Sequence, residues 1–404
     1  MRQLEAQSGT NAAHDSTRPA AADARGREGE VMSEFKLYPQ AVVWEITFAC
    51  NMRCLHCGTA AGKQRPDELT TEEALSLADE LCDLGAVNIT LSGGEPLMRK
   101  DWSLLAQRIT DRGARPYIIT NGYSVTEETV DTFAKVGMRN VGVSFDGTKK
   151  THNYIRQRDE SYDRVLNAFR MMAAHPELNQ FCAMSQISNI NLDEMDEIRD
   201  ILVDVGCPQW RIQMTTATGR MKEHGELVMS LDNYPRFIDK ILELKEDKRI
   251  DIDVGENIGY FGCKGTALLD GHPYWGCFAG TRGIGIESNG DIKGCLSMPE
   301  EFVEGNVRDR SLTEIWNDPD AFAYNRKFTR DSAGGFCHDC KYLPMCRAGC
   351  ATTAVSASGS RGDNPYCIYR IEHEQGIACR DNELITNLLS SVYEQIGEKL
   401  PVEQ

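Results

Sequence analysis

Between residue 40 and about residue 255 the chain alternates short apolar runs with amphipathic helical stretches, and no other feature restricts its possible folds so strongly. The runs are VVWEITF (42–48), VNITLSG (87–93), PYIITN (116–121), NVGVSFDG (140–147), FCAMSQIS (181–188) and WRIQMTT (210–216). Thr70 opens a capping box with Glu73 ahead of a helical pattern that closes on Gly85. Similar patterns run from Asp101 to Gly113, Thr126 to Gly137, Ser161 to Ala174, Leu192 to Gly206 and Asp232 to Asp247. Six strand–helix units predict an α/β fold, a parallel sheet with its helices outside. Six is short of the eight that close a barrel, so the expected form is an open, curved, partial (β/α)6 barrel. Function in such folds sits at the C-terminal ends of the strands.

The flanking regions differ in character. Residues 1–35 are rich in Ala, Arg, Asp, Gly and Ser without periodicity, and a disordered tail is expected there; Met32 would serve as an alternative start. Residues 256–375 are turn-rich and carry most of the clustered cysteines, and a helical pattern, DNELITNLLSSVYEQIGEKL, occupies the final 376–404 section. The formal net charge of -17 argues against a nucleic-acid partner. No apolar run approaches the roughly 18 to 20 residues of a membrane span, and the first 30 residues lack the apolar core of a signal peptide. The expected location is therefore the cytoplasm. Fifteen cysteines in such a chain point to metal binding rather than to disulfides. Ten fall into spaced groups, and the five others (Cys82, Cys182, Cys207, Cys263, Cys379) are read as small buried side chains.

The first group follows the first strand directly: Cys50, Cys54 and Cys57, spaced C-x3-C-x2-C. A disulfide uses two thiols and a structural zinc site four. Three thiolates can hold three irons of a [4Fe–4S] cluster and leave the fourth iron open. A degenerate zinc site or three packed thiols would fit the spacing as well. SGGEP (92–96) ends strand two, VSFDG (143–147) ends strand four, and HNYIR (152–156) follows.

In this order the motifs resemble the radical S-adenosylmethionine (SAM) enzymes, whose hallmark is C-x3-C-x2-C after the first strand of a partial (β/α)6 barrel. His56 stands where that family often has an aromatic residue, and keeps a flat ring. The resemblance implies that Cys50, Cys54 and Cys57 hold the catalytic cluster, whose open iron is chelated by the amine and carboxylate of SAM. An electron from a donor such as a flavodoxin or ferredoxin then cleaves SAM to a 5′-deoxyadenosyl radical. It also implies that Gly93, Gly94 and Glu95 lie beside the SAM amine, that Ser144 contacts its polar groups, and that Arg156 meets its carboxylate. Asn121, ending strand three, is a further candidate.

Cys277, then Gly290-x4-Cys295, then C-x2-C-x5-C-x3-C at Cys337, Cys340, Cys346 and Cys350, then Cys367, resemble the SPASM extension of these enzymes. That resemblance implies two auxiliary [4Fe–4S] clusters in a small cysteine-rich iron–sulfur domain, making three in all. Cys277, Cys295 and Cys350 would serve the first; Cys337, Cys340, Cys346 and Cys367 would serve the second. A pair of zinc sites is the alternative. Cys263 either completes the first cluster or leaves an iron open. The region has few long apolar runs, so its clusters are expected to replace a core. Users of the extension modify peptides or proteins, so a peptide or protein substrate stands first. Sulfatase maturation follows, weakened because Leu296 rather than an acid follows Cys295. Tetrapyrrole modification and a non-catalytic electron carrier come after.

Overall fold

The computed structural model describes residues 37–178 and 180–400; the tail expected at 1–35 lies outside them. From Tyr38 onward the described residues belong to one compact unit. Strands β1 (Ala41–Thr47), β2 (Asn88–Gly93), β3 (Arg115–Thr120), β4 (Asn140–Ser144), β5 (Phe181–Ile187), β6 (Gln209–Met214) and β7 (Asp251–Val254) pair in parallel in chain order. Their connections carry α1 (Thr71–Asp83), α2 (Trp102–Asp111), α3 (Glu127–Lys135), α4 (Lys149–Arg156), α5 (Ser161–Ala174), α6 (Met195–Asp204) and α7 (Tyr234–Lys245). The capping box forms as expected: Glu73 N–H donates to Thr70 Oγ1 at 3.2 Å, and Thr70 N–H to Glu73 Oε2 at 2.8 Å.

Alternate strand residues fill the layer between sheet and helices. Trp44, Ile89, Leu91, Val143, Trp210 and Ile212 are fully buried there with Leu81, Leu105, Phe133, Phe169 and Phe237 of the helices. Because strand side chains alternate, their neighbours in sequence point into the concave face. That face therefore receives Glu45, Ser92, Ser144, Gln186, Arg211 and Gln213.

Two features depart from the six-unit expectation. A seventh parallel strand, β7, extends one edge; it is only four residues long and begins with alternating acids, so its apolar signal is weak. At the other edge β8 (Gly283–Ile286) pairs in parallel with β1, and β9 (Asp291–Lys293) and β10 (Gly305–Asn306) continue antiparallel. The cysteine-rich region thus adds three strands to the same ten-stranded sheet. A buried charged network fastens that join. Arg65 reaches Glu45 at 3.2 Å and Glu287 at 3.0 Å, Lys293 pairs with Glu287, and Ser288 Oγ donates to Glu45 at 2.8 Å.

The rest of the region is built from α8 (Gly262–Leu268), α9 (Leu312–Asn317), α10 (Ala323–Arg326), α11 (Gly335–Asp339), α12 (Leu343–Cys346), α13 (Ala351–Ser358), α14 (Ile368–Glu374) and α15 (Glu383–Ile396). The expectation that it lacks a core needs correction. Leu312, Ile315, Trp316 and Phe322 join the main core. A second cluster gathers Tyr260, Phe261, Tyr274, Tyr342 and Met345 under Ile385, Leu389 and Tyr393 of α15. Single aromatics in turn-rich sequence supply this packing, which run-length reading does not detect. Among the described residues, no helix is long and apolar enough to cross a membrane.

Candidate active site

The loop after β1 carries Cys50, Cys54 and Cys57 and is clamped from three sides. Cys50 N–H donates to Gly62 O at 2.9 Å, and Leu55 N–H to Ile155 O of α4 at 2.9 Å. Arg220, from a short turn after β6, reaches Cys54 O with Nε at 2.9 Å and Ala61 O with Nη1 at 3.0 Å. The three thiols act on one another electrostatically, so the loop gathers them into one site. Burial pushes the Cys50 thiol up to about 11, with Cys54, Glu95 and Cys57 adding to the rise. Burial also raises Cys54, against the pull of Arg156. Three gathered thiols, two of them with their protons held by burial, beside a guanidinium suit a cationic metal cluster, because ligation releases such protons.

Arg156 ends α4 with its guanidinium inside. Nη1 lies 3.7 Å from Cys54 Sγ and Nη2 lies 2.5 Å from Asp146 Oδ2. Asp146 is fully buried and also meets His56 Nε2 at 3.0 Å. Burial pushes the Asp146 carboxyl up, but Arg156 and then His56 more than offset this and hold it well below the usual carboxylate range. Its backbone N–H donates to His152 Nδ1 at 3.1 Å, and His152 Nε2 faces Ser161 Oγ at 2.9 Å. Burial lowers His152 to about 3, so the ring is neutral with its proton on Nε2. Sequence reading singled out Arg156 and His56 but not Asp146, which joins them. Its signal was the acid in SFDG at a strand end.

The glycines of SGGEP let two stretches of backbone cross closely. A Cβ at Gly94 would strike Ala49 O, and one at Gly93, where φ is +139°, would strike Thr47 O. Both therefore let the second strand's turn cross the backbone that leads into the cysteine loop. Gly94 N–H donates to Thr47 O and Glu95 N–H to Ala49 O, each at 2.8 Å.

Glu95 is fully buried beneath that crossing, and its oxygens are already engaged. Oε1 accepts from Thr120 Oγ1 at 2.7 Å and Oε2 from Asn121 N–H at 2.7 Å. Burial raises its carboxyl to about 7, against these bonds. Asn121 is drawn in as well, donating from Nδ2 to Asn51 Oδ1 at 2.7 Å within the cysteine loop. Ser144 lies at the end of β4, half-buried and facing the concave side. The candidates from β1 to β4 and α4 thus converge at the C-terminal rim of the sheet. A ligand with an ammonium and a carboxylate would find Glu95 and Arg156 there.

The later cysteines form two groups. Cys295 and Cys350 act on one another and on Cys277; Cys337, Cys340, Cys346 and Cys367 act on one another. Burial raises Cys295, Cys337, Cys340, Cys346, Cys350 and Cys367, with Cys350 and Cys367 reaching about 12. These are the two sets that the resemblance implies, and deep burial of several thiols suits thiolate ligation to iron. Cys263 joins neither set. It forms a disulfide with Cys379, 116 residues away, beside Glu372, whose Oε2 accepts from Cys263 N–H at 3.0 Å. Two of the five cysteines read as lone buried side chains are therefore paired, and Cys263 is exposed; Cys182 and Cys207 are free and buried as expected.

Comparison with known proteins agrees with this arrangement. Residues 44–179 match the family described as the radical SAM superfamily, and residues 277–341 match the iron–sulfur cluster-binding domain SPASM. The AdoMet-dependent heme synthase of Methanosarcina barkeri is 30% identical over 349 residues, covering 82% of this chain and 97% of that protein. The mycofactocin maturase MftC of Mycolicibacterium smegmatis is 26% identical, covering 82% and 83%. The crystal structure of Streptococcus suis SuiB bound to S-adenosylmethionine superposes with a TM-score of 0.63 at 17% identity, over 81% of this chain and 76% of that one. At that identity the likeness is one of fold.

Proposed function

The chain belongs to the radical SAM superfamily and is an enzyme whose cofactors are S-adenosylmethionine and [4Fe–4S] clusters, and from that premise we propose that it modifies a peptide or protein substrate. Bound at the cysteine loop, the cluster and SAM would supply a 5′-deoxyadenosyl radical that abstracts hydrogen. Cys50, Cys54 and Cys57 would hold the cluster, and three protein ligands leave room for SAM. Arg156, fixed by Asp146, orients the SAM carboxylate; Glu95 and Ser144 face its polar end. The seven grouped cysteines from Cys277 to Cys367 would hold two further clusters, so the enzyme carries three. It works in the cytoplasm and takes its electron from a flavodoxin or ferredoxin.

The observation that carries the peptide reading is a group of polar side chains that the concave face presents beside the apolar Ile119 and Met184. Ser92, Ser144, Gln186 and Gln213 belong to it, and Gln186 Nε2 donates to Gln213 Oε1 at 2.9 Å. Such a surface can meet the amides of an extended chain, whereas a flat macrocycle favours an apolar slot. Tetrapyrrole modification is the second reading, favoured by the relationship to the heme synthase over nearly that protein's whole length. One experiment separates them. Reduced enzyme with SAM is given either the product of a short open reading frame beside its gene or a porphyrin carrying propionate side chains. The peptide should lose hydrogens or a carboxyl group by mass spectrometry, with 5′-deoxyadenosine formed alongside. An unchanged peptide and a shortened porphyrin side chain would reverse the order.

A further inference from the structure

The first auxiliary set has three thiols, and the disulfide with Cys379 removes Cys263 as the fourth. The four-residue helix α10 places a different group there. Asn325 is fully buried and donates from Nδ2 to Cys277 O at 2.8 Å and to Ala279 O at 2.7 Å. Arg326 donates from Nε to Gly280 O at 2.6 Å and from Nη1 to Trp316 O at 2.8 Å. Ahead of them Phe322 sits at φ +56°, a left-handed conformation that a phenylalanine keeps only where its surroundings hold it. This turn is therefore pinned to the segment that begins with Cys277.

Tyr324 stands between those anchors and points the same way. Phe302 meets its ring edge-on, with centroids 5.0 Å apart. Its hydroxyl sits against Gly294, where any Cβ would collide with it, next to the ligand candidate Cys295. Apart from burial, the groups that act most strongly on it are Cys277 and Cys295. Yet that hydroxyl is buried and has no hydrogen-bond partner among the described residues. A buried phenol without a partner is uncommon and calls for one.

We propose that the Tyr324 oxygen is the fourth protein ligand of the cluster held by Cys277, Cys295 and Cys350. The inference rests on the reading of those cysteines as cluster ligands. Tyrosinate is an established ligand of protein-bound iron. On ligation the phenol O–H bond breaks, an O–Fe bond forms, and the proton leaves to solvent; no electron moves. With all four irons held by the protein, this cluster relays electrons and does not bind substrate. A hard oxygen donor among three thiolates also makes it electronically distinct from the all-cysteine cluster.

The test uses the full chain carrying C50A, C54A and C57A, which removes the other three-thiolate site and leaves about eight irons. Resonance Raman spectra should show phenolate ring modes enhanced through a charge-transfer band, shifted when the protein contains ring-deuterated tyrosine. Adding Tyr324→Phe should abolish them at unchanged iron content, and the reduced cluster's EPR signal should then respond to added mercaptoethanol. Phenolate modes absent from the parent would overturn the assignment, even if the Tyr324→Phe variant failed to hold iron. It would equally fail if the parent already responded to mercaptoethanol, or if the modes vanished with Tyr274→Phe instead, since Tyr274 also lies beside Cys277 and Cys350. A parent with only about four irons would remove the cluster reading, and the ligand with it.

Discussion

The barrel and the cysteine-rich region share one sheet but resist unfolding by different means. In the barrel, strands and long helices bury a continuous apolar layer, and the three thiols of the SAM loop are an addition at its rim. Beyond α9, helices of four to eight residues precede α15, and aromatic rings pack among thiols. Isolated helices this short are not stable alone. The barrel should therefore depend less on metal for its shape than the short helices around the later cysteines, which have only the smaller aromatic cluster to hold them. Strands β8 to β10 belong with the barrel in this respect, because β1 and the Arg65–Glu287–Lys293 network hold them.

The largest effect should come from chelating the iron. Limited proteolysis of the metal-free protein is expected to cut first between residues 335 and 375, where four thiols of one set lie on short helices or at their caps. The barrel and β8–β9 should resist. Metal binding of this kind is folding energy for the segment that supplies the ligands. If barrel and segment were digested at the same rate, the contrast between them would be broken.

A smaller effect is expected inside the barrel. Arg156→Ala should raise the SAM dissociation constant about tenfold or more, since a charge-assisted bond to a carboxylate is worth roughly 1.5 to 3 kcal/mol. It also removes the guanidinium from the buried Asp146, leaving its carboxylate to His56 and the Gln186 N–H, so a lowered melting temperature should accompany the loss. Arg156→Lys keeps the charge but not the fork, and should recover stability more fully than affinity. Equilibrium dialysis with SAM, read beside thermal melts, checks both. Wild-type affinity in the alanine variant would return Arg156 to a purely structural role.

The smallest effect concerns Glu95. An ordinary carboxyl titrates near 4.5, and burial raises this one to about 7. Between those values the folded state holds a proton that the unfolded chain has lost, so stability falls as pH rises through that window. Glu95→Gln imitates the protonated form but surrenders one acceptor. Without SAM, the variant should melt with wild type near pH 5.5 and a few degrees above it at pH 8, a gain of about 2 kcal/mol. The same variant should bind SAM more weakly at pH 8. A wild-type melting curve that did not fall from pH 5.5 to 8 relative to the variant would contradict the burial argument.

What the sequence determined by itself was everything set by short spacing. Apolar runs and the Thr70 cap located six strands and their helices, because backbone periodicity and capping act within a few residues. The spacings of Cys50, Cys54 and Cys57 and of Cys337, Cys340 and Cys346 announced which thiols gather, for the same reason. The tertiary structure alone decided which distant groups meet. Asp146 joins His56 to Arg156 across 90 residues of chain, and Cys263 finds Cys379 rather than a cluster. Tyr324 reaches the first auxiliary set only because Asn325 and Arg326 pin its turn to the Cys277 segment. Gly93 and Gly94 proved to be a backbone crossing, since nothing local says which strand a turn will pass over. Such pairings depend on sheet order and on the paths of loops, and these follow from burying the whole apolar layer at once rather than from any one stretch of residues.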